Sequence, residues 1–212
     1  MIRTCLFDLG NVLVRFSPVT MYGQIGALCG RSAEEIRDLF LHSGLQEDFE
    51  TGRISAAEFH QKFQDALSVT IDPGEMQKAG SEIFSLIEPM PALLDALKAR
   101  GHRLVLMSNT SVTHFEFIRD RFDVLSRFDR NVLSYEVGAV KPQPAIFQAA
   151  IEAIECSPAD CFYTDDIAEY VTAARTFGFQ AEVFRDPATL LEQLSRYGVD
   201  LPTLKKLTPP SS

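Results

Sequence analysis

The sequence predicts an α/β fold: a doubly wound, mainly parallel sheet between two layers of helices, interrupted after its first strand by an all-helical insert. Three observations carry this. Short apolar runs recur at residues 2–9, 104–107, 132–135, 161–163 and 181–184, three of them (2–9, 104–107 and 161–163) running into polar clusters. From residue 88 onward these runs alternate with helical stretches, the pattern of a parallel sheet covered on both faces. Between the first two runs lie about seventy residues that carry helix signals and no strand signal.

The first run enters a sheet core and ends on Asp8, broken by Gly10 and Asn11. After Pro18 the helix signals begin. Ser32 with Glu35 and Ser55 with Glu58 are capping boxes, and Asp72-Pro73 is an N-cap followed by proline in the first turn. Ile36, Leu39 and Phe40, then Phe59, Phe63 and Leu67, follow at helical spacing. A helix rich in Ala and Leu runs over 91–100 and stops at Gly101. The strand over 104–107 ends in Ser108-Asn109-Thr110, and a helix follows at Val112–Arg121. After the strand at 132–135, Pro144 opens a helix through 154, with Ile146, Phe147, Ala150, Ile151 and Ile154 on one face. The strand at 161–163 ends in Thr164-Asp165-Asp166, before a helix bearing Ile167, Val171 and Ala174. The strand at 181–184 precedes a helix opened by Asp186-Pro187. The division expected is a Rossmann-like, three-layer α/β/α core over residues 1–15 and 87–205, a helical cap over 16–86, and a flexible tail over 206–212.

Composition narrows the function. Of the 212 residues, 29 are acidic and 20 are Lys or Arg, a formal charge of −9, which repels phosphate backbones and anionic lipid. Nucleic acid and membrane surfaces are therefore excluded as main partners. No apolar window is long enough to span a bilayer, and Asp8 interrupts what would be a signal peptide's apolar core, so a cytoplasmic chain is expected. Cys5, Cys29, Cys156 and Cys161 form no C-x-x-C pair and read as thiols without chemistry, not zinc ligands. The sequence leaves monomer and homodimer open.

In doubly wound sheets the ligand site lies beyond the carboxyl ends of the strands. The polar residues expected there are Asp8, Ser108-Asn109 and Asp165-Asp166, with Lys141 on the loop after the third strand. Three carboxylates in one cleft oppose one another, and a hard cation such as Mg²⁺ accounts for them. Lys141 can pair with a carboxylate and a phosphate together. Ser108 and Asn109 offer a hydroxyl and backbone N–H groups at a helix N-terminus, a seat for an anion. One carboxylate in line with phosphorus would be a nucleophile that forms an aspartyl-phosphate. The chemistry expected is phosphoryl transfer.

Phe7-Asp8-Leu9-Gly10-Asn11-Val12, Met107-Ser108-Asn109-Thr110, Gly138-Ala139-Val140-Lys141-Pro142 and Tyr163-Thr164-Asp165-Asp166 resemble the four ordered motifs of the haloacid dehalogenase-like hydrolases. The resemblance spans nearly the whole chain. It is strongest to the branch with bacterial α-glucose-1-phosphatase and the N-terminal phosphatase domain of soluble epoxide hydrolase, which shares Asn109-Thr110, Lys141-Pro142, the doubled Asp and the cap segment from Phe49 to Ser55. It implies Asp8 as nucleophile and metal ligand and a Mg²⁺ ligand in the carbonyl of Gly10. It further implies phosphate held by Ser108 and the Asn109 amide, neutralisation by Lys141, and metal binding by Asp166 with Asp165 in support. Dehalogenation is disfavoured, because dehalogenase members carry an aromatic residue at the position of Gly10.

Two departures stand out. Most phosphatases that the sequence resembles carry an acid–base Asp where this chain has Gly10, a group worth roughly 10²–10⁴-fold in rate. Tyr170 stands where relatives place Asn or Asp. Two readings follow: a Mg²⁺-dependent phosphatase of a small phosphorylated metabolite, for which a sugar 1-phosphate with its acidic leaving oxygen would suit Gly10, or an impaired relative that binds a phospho-ligand or a protein partner. His42 and Phe49 are candidates to line the cleft from the cap. The other histidines read as structural, and the acidic run from Gln46 to Glu50 reads as a solvated helix face.

Overall fold

The computed structural model describes residues 1–203; the tail expected over 206–212 lies outside them. In chain order the elements are β1 (Thr4–Phe7), β2 (Val14–Arg15), α1 (Pro18–Cys29), α2 (Ala33–His42), α3 (Leu45–Glu50), α4 (Ala56–Leu67), α5 (Pro73–Ser81) and β3 (Ser85–Leu86). They continue with α6 (Met90–Ala99), β4 (Arg103–Ser108), α7 (Val112–Arg121), β5 (Arg130–Leu133), α8 (Ser134–Val137), α9 (Pro144–Ala153), β6 (Cys161–Asp165), α10 (Ala168–Thr176), β7 (Gln180–Val183) and α11 (Pro187–Arg196). The main sheet is ordered β5-β4-β1-β6-β7, and every pairing in it is parallel. β1 is the central strand, so the crossovers wind away from it in both directions and open a crevice at its carboxyl end.

Two apolar layers hold the sheet. One face buries Phe7, Leu106 and Phe162 against Leu94 and Leu97 of α6 and Leu190 and Leu194 of α11. The other buries Leu6, Met107 and Tyr163 against Ile146, Phe147 and Ala150 of α9 and Val171 and Ala174 of α10. Successive strand residues alternate between these layers, as the period of two requires. The face predicted for α9 is buried at Ile146, Phe147, Ala150 and Ile154, while Ile151 is only partly covered. All four cysteines are free thiols, and burial, with a smaller push from Cys156, raises Cys5 to about 12, which suits an inert core residue. Among the described residues no helix is long and apolar enough to cross a membrane.

Two local expectations need correction. The stretch between the first two predicted strands is not free of β-structure: β2 and β3 pair antiparallel where the chain leaves the core and returns. Each is two residues long, too short for any periodicity to register. The strand expected over 132–135 ends at Leu133, because Ser134 turns the chain into α8. The Ser134 hydroxyl donates to the Thr110 carbonyl and accepts from the Thr110 N–H, both at 3.0 Å.

The five helices between β2 and β3 form their own apolar cluster around Ile36, Phe40 and Phe63. Both predicted capping boxes are present, at Ser32–Glu35 and Ser55–Glu58. This cap rests on the core through α5 against α7 and α3 against α8. At Gly52 (φ 67°) the approach is so close that an added Cβ would overlap the Tyr135 carbonyl oxygen.

His114 pins the α5–α7 contact: its Nε2–H donates to the Gly80 carbonyl at 3.0 Å, and its ring meets Phe84 edge-on at 5.3 Å. Burial pulls its pKa from 6.5 to about 4, with the Gly80 bond opposing only in part. The unfolded chain therefore takes up a proton that the folded chain refuses between those two values, and stability falls as pH drops through that window. Between pH 7 and pH 5 this amounts to at most about 2 kcal/mol. Urea denaturation at the two pH values should show this loss in the native protein, and His114→Gln should flatten it. An unchanged slope in the variant would remove His114 as the cause.

Candidate active site

The crevice at the end of β1 gathers side chains from three strand ends and one loop. Asp8 follows β1 directly, its N–H donating to Thr164 of β6 at 3.0 Å. Ser108 closes β4, Asp165 closes β6, and Lys141 arrives on the loop between α8 and α9. Asp8, Ser108, Lys141 and Asp165 are all buried, whereas Asn109 and Asp166 are partly open. Parallel pairing of β4 and β6 on either side of β1 sets these ends level with one another.

Lys141 is the hub. Its Nζ donates to Asp8 Oδ1 at 2.7 Å, to Asp165 Oδ2 at 2.6 Å and to the Met107 carbonyl at 3.2 Å. Those three bonds satisfy all of its donors. Its backbone is clamped as well: the Lys141 N–H donates to Asn109 Oδ1 at 2.7 Å, and Asn109 Nδ2 donates to the Lys141 carbonyl at 3.1 Å. The Tyr170 ring centroid lies 5.2 Å from the ammonium, a cation–π contact. Tyr170 thus covers Lys141 with its ring.

The three carboxylates differ in what they have left to offer. Asp165 is fully engaged, accepting from Lys141 and from the Tyr163 hydroxyl on Oδ2 and from the Ile167 N–H at 2.9 Å on Oδ1. Asp8 spends one oxygen on Lys141, and Asp166 accepts from Asn11 Nδ2 at 3.2 Å. Ligand oxygens of Asp8, Asp165 and Asp166 all lie within 4.8 Å of one another. Three carboxylates against one ammonium leave two negative charges uncompensated, and an all-oxygen set of that charge fits a hard divalent cation. Gly10, two residues past Asp8, has no side chain to obstruct its carbonyl.

Charge placement is visible in the proton affinities. Burial raises Asp8 from 3.8 to about 7; the Lys141 charge opposes this and the Asp165 charge adds to it. Burial alone would pull Lys141 down, but Asp8 and Asp165 more than offset it and hold the ammonium well above its usual value. Asp166 is raised by burial and then by Asp165, with the Asn11 bond working the other way.

The crevice brings together the residues expected to hold metal and phosphate, Asp8, Gly10, Ser108, Asn109, Lys141, Asp165 and Asp166. Asn109 keeps its main-chain N–H for an anion, while its side chain is committed to the Lys141 backbone. Three partners were not foreseen. Tyr163 lies two residues before Asp165 on one strand, hence on the same face, and that spacing could have revealed it. Asn11 lies three residues after Asp8, with φ 54°, and its amide reaches Asp166 only through that turn. Phe16 stands over Gly10: a Cβ there would lie 3.1 Å from the ring. From the cap, Phe49 faces inward while His42 is exposed and bonds the carbonyl of Asp38 in its own helix. The run from Gln46 to Glu50 is not wholly a solvated face: Glu47 and Asp48 pair with Arg53 outside, but Gln46, Phe49 and Glu50 line a cavity within the cap.

Comparison with known proteins agrees with this architecture. The family model for haloacid dehalogenase-like hydrolases matches residues 2–178. The chain is 25% identical over 189 residues to a D-ribitol-5-phosphate phosphatase of Bacteroides thetaiotaomicron, covering 85% of this chain and 90% of that protein. It is 24% identical over 182 residues to a sesquiterpene phosphatase of Aspergillus oryzae, covering 83% and 86%. Its fold is similar to the crystal structure of a Bacteroides thetaiotaomicron enzyme of this family in complex with magnesium and inorganic phosphate, with a TM-score of 0.80, 23% identity, and 88% and 96% of the two chains covered.

Proposed function

The chain belongs to the haloacid dehalogenase-like hydrolases, and from that premise we propose that it is a Mg²⁺-dependent phosphomonoesterase working through an aspartyl-phosphate at Asp8. One observation carries the reading: Asp8 is buried, oriented by Lys141 on one oxygen, and left with the other free at the open end of β1. Asp8, the Gly10 carbonyl and Asp166 would hold Mg²⁺, and Asp165 would support the set by fixing Lys141. When bound, the ion neutralises the phosphate and the carboxylates that face it.

The chain's own groups then do the following. The free Asp8 oxygen attacks phosphorus, the ester oxygen leaves with its electron pair, and water hydrolyses the resulting acyl phosphate. Ser108 and the main-chain N–H of Asn109 bind the phosphoryl oxygens, and Lys141 offsets their charge. No carboxylate stands at position 10 to protonate the leaving group, and Phe16 occupies the space above it. This favours esters whose leaving oxygen needs little protonation. The relatives act on a polyol phosphate and on a sesquiterpene phosphate, so both polar and apolar esters are candidates.

The test is phosphate release from a panel of monoesters with and without Mg²⁺. Release that requires the ion is expected, and Asp166→Asn should raise the Mg²⁺ concentration needed for half-maximal rate roughly 10-fold or more. No release from any ester at millimolar Mg²⁺ would overturn the reading.

A further inference from the structure

The cap contains a feature that hydrolysis at Asp8 does not by itself require. A half-open cavity of about 490 Å³ lies among its helices, with walls from Met21, Ile25, Phe40, Phe49, Phe59 and Met76. All five cap helices contribute, and the surface they present is mainly apolar. A helical bundle with no other task would collapse into such a hollow, because an unfilled apolar cavity forfeits packing on every side. Its volume lies in the range that takes up a drug-sized ligand.

Position ties the cavity to the reaction. Its wall on the core side is Ser111, Thr113 and His114, at the first turn of α7. Ser111 follows Ser108 by three residues, so the two Cα atoms are at most about 10 Å apart. A phosphate seated at Ser108 is therefore within the reach of one small ring or a short chain from the cavity wall. The Ser111 and Thr113 hydroxyls bond one another at 3.1 Å on that side, a polar patch suited to the ester end. Farther in, Phe49 and Phe59 stack at 4.5 Å and Phe40 and Phe59 at 5.9 Å, presenting ring faces. Glu50, paired with Gln46 at 2.7 Å, is the acidic group in the wall and disfavours a second anionic group on the ligand.

We infer that the cap cavity receives the leaving group, and that the substrates are monophosphates of neutral apolar alcohols or phenols rather than of sugars. The inference rests on the phosphatase reading above and selects between the two classes of ester left open there. A polyol would bury its hydroxyls against a wall that is mostly apolar, despite polar side chains such as Gln61 and Gln77 in it, which is unfavourable. An aromatic or branched aliphatic group leaves no such orphan.

Phenyl phosphate and 2-naphthyl phosphate test this, since their leaving groups are of nearly equal acidity and differ mainly in apolar bulk. Their kcat/KM values are to be compared with each other and with ribitol 5-phosphate, in the native protein and in Ala57→Trp and Gln77→Trp. Ala57 of α4 and Gln77 of α5 line the cavity and are exposed, so tryptophan can block it without disturbing the fold. We expect 2-naphthyl phosphate to exceed phenyl phosphate by roughly 10-fold or more and to exceed the polyol ester, with the naphthyl advantage falling toward one in both variants. A naphthyl-to-phenyl ratio near one in the native protein, a ratio that neither variant changes, or a polyol ester cleaved as fast as the naphthyl ester would overturn the inference while leaving the phosphatase reading standing. If no ester is hydrolysed, the phosphatase reading fails, and binding of 2-naphthol followed by its fluorescence decides the cavity alone. Binding weakened by Ala57→Trp supports an apolar site, and absence of binding overturns it.

Discussion

Asp8→Asn is expected to abolish Mg²⁺-dependent phosphate release, by on the order of 10⁴-fold or more, while making the metal-free protein more stable. The two effects share one cause. Asparagine keeps the shape of the side chain and can still accept from Lys141, but it has no carboxylate to form the acyl phosphate. Stability moves the other way because burial raises Asp8 to about 7 against an ordinary value of 3.8. Between those values the folded chain holds a proton that the unfolded chain has released, so stability falls as pH rises through the window. At pH 8 the ionised carboxylate is a net burden, and its neutral counterpart should gain on the order of 4 kcal/mol. Thermal melts without Mg²⁺ should therefore place the variant above the native protein at pH 8, with the gap closing as pH falls toward 4. Adding Mg²⁺ should raise the native protein more than the variant. A variant that is inactive and also less stable at pH 8 would point to damaged folding and not to a missing nucleophile.

The same tension explains which parts of the site were legible beforehand. Carboxylates at the ends of apolar runs are unfavourable unless something uses them, so Asp8, Asp165 and Asp166 stood out in the sequence, and Lys141 with them. The doubly wound core was equally legible, since β4, β6 and β7 are apolar runs each followed by a helix. What escaped depends on contacts between distant segments. β2 and β3 exist because residues 14–15 and 85–86 meet across the whole cap, and neither pair has a pattern of its own. Asn109 at a helix start reads as a main-chain anion donor; that its side chain also meets a backbone 32 residues away leaves no mark in the sequence. Tyr170 looked like a loss, and only its ring over Lys141 shows what replaces the expected polar group. The run from Gln46 to Glu50 reads as acidic by composition. Its division into an outward pair and an inward trio is set by where α3 lies on α4 and α8.

Lys141→Met is expected to lose both activity and stability, and the pattern of loss distinguishes electrostatics from packing. Methionine fills much of the same volume and keeps the stem buried, so the change removes the ammonium with little cavity. Phosphate release should fall by roughly 10²–10³-fold, the scale for losing one preorganised charge contact to a developing anion. At pH 8 without metal the folded state should weaken by about 3–5 kcal/mol, because removing one partner leaves buried charges uncompensated. Asp165, fully buried, keeps only the Tyr163 hydroxyl and the Ile167 N–H, and Asp8 loses its one bonded cation. Asp8, already raised by burial, then favours protonation more strongly than before. A carboxylate whose folded pKa is raised destabilises above its ordinary value and is relieved as pH falls, so the deficit should shrink markedly between pH 8 and pH 5. A loss caused by poor packing would not follow pH in this way. Mg²⁺ should restore stability more than rate, since a divalent ion can neutralise Asp8 but cannot stand where Lys141 meets the phosphate. Lys141→Arg should also remain slow, because the planar guanidinium fork does not fit three bonds converging on one compact ammonium. Urea denaturation of Lys141→Met at pH 8 and pH 5, with and without Mg²⁺, measures the electrostatic share. A pH-independent deficit, or activity within 10-fold of native, would show that the ammonium is not the hub of this site.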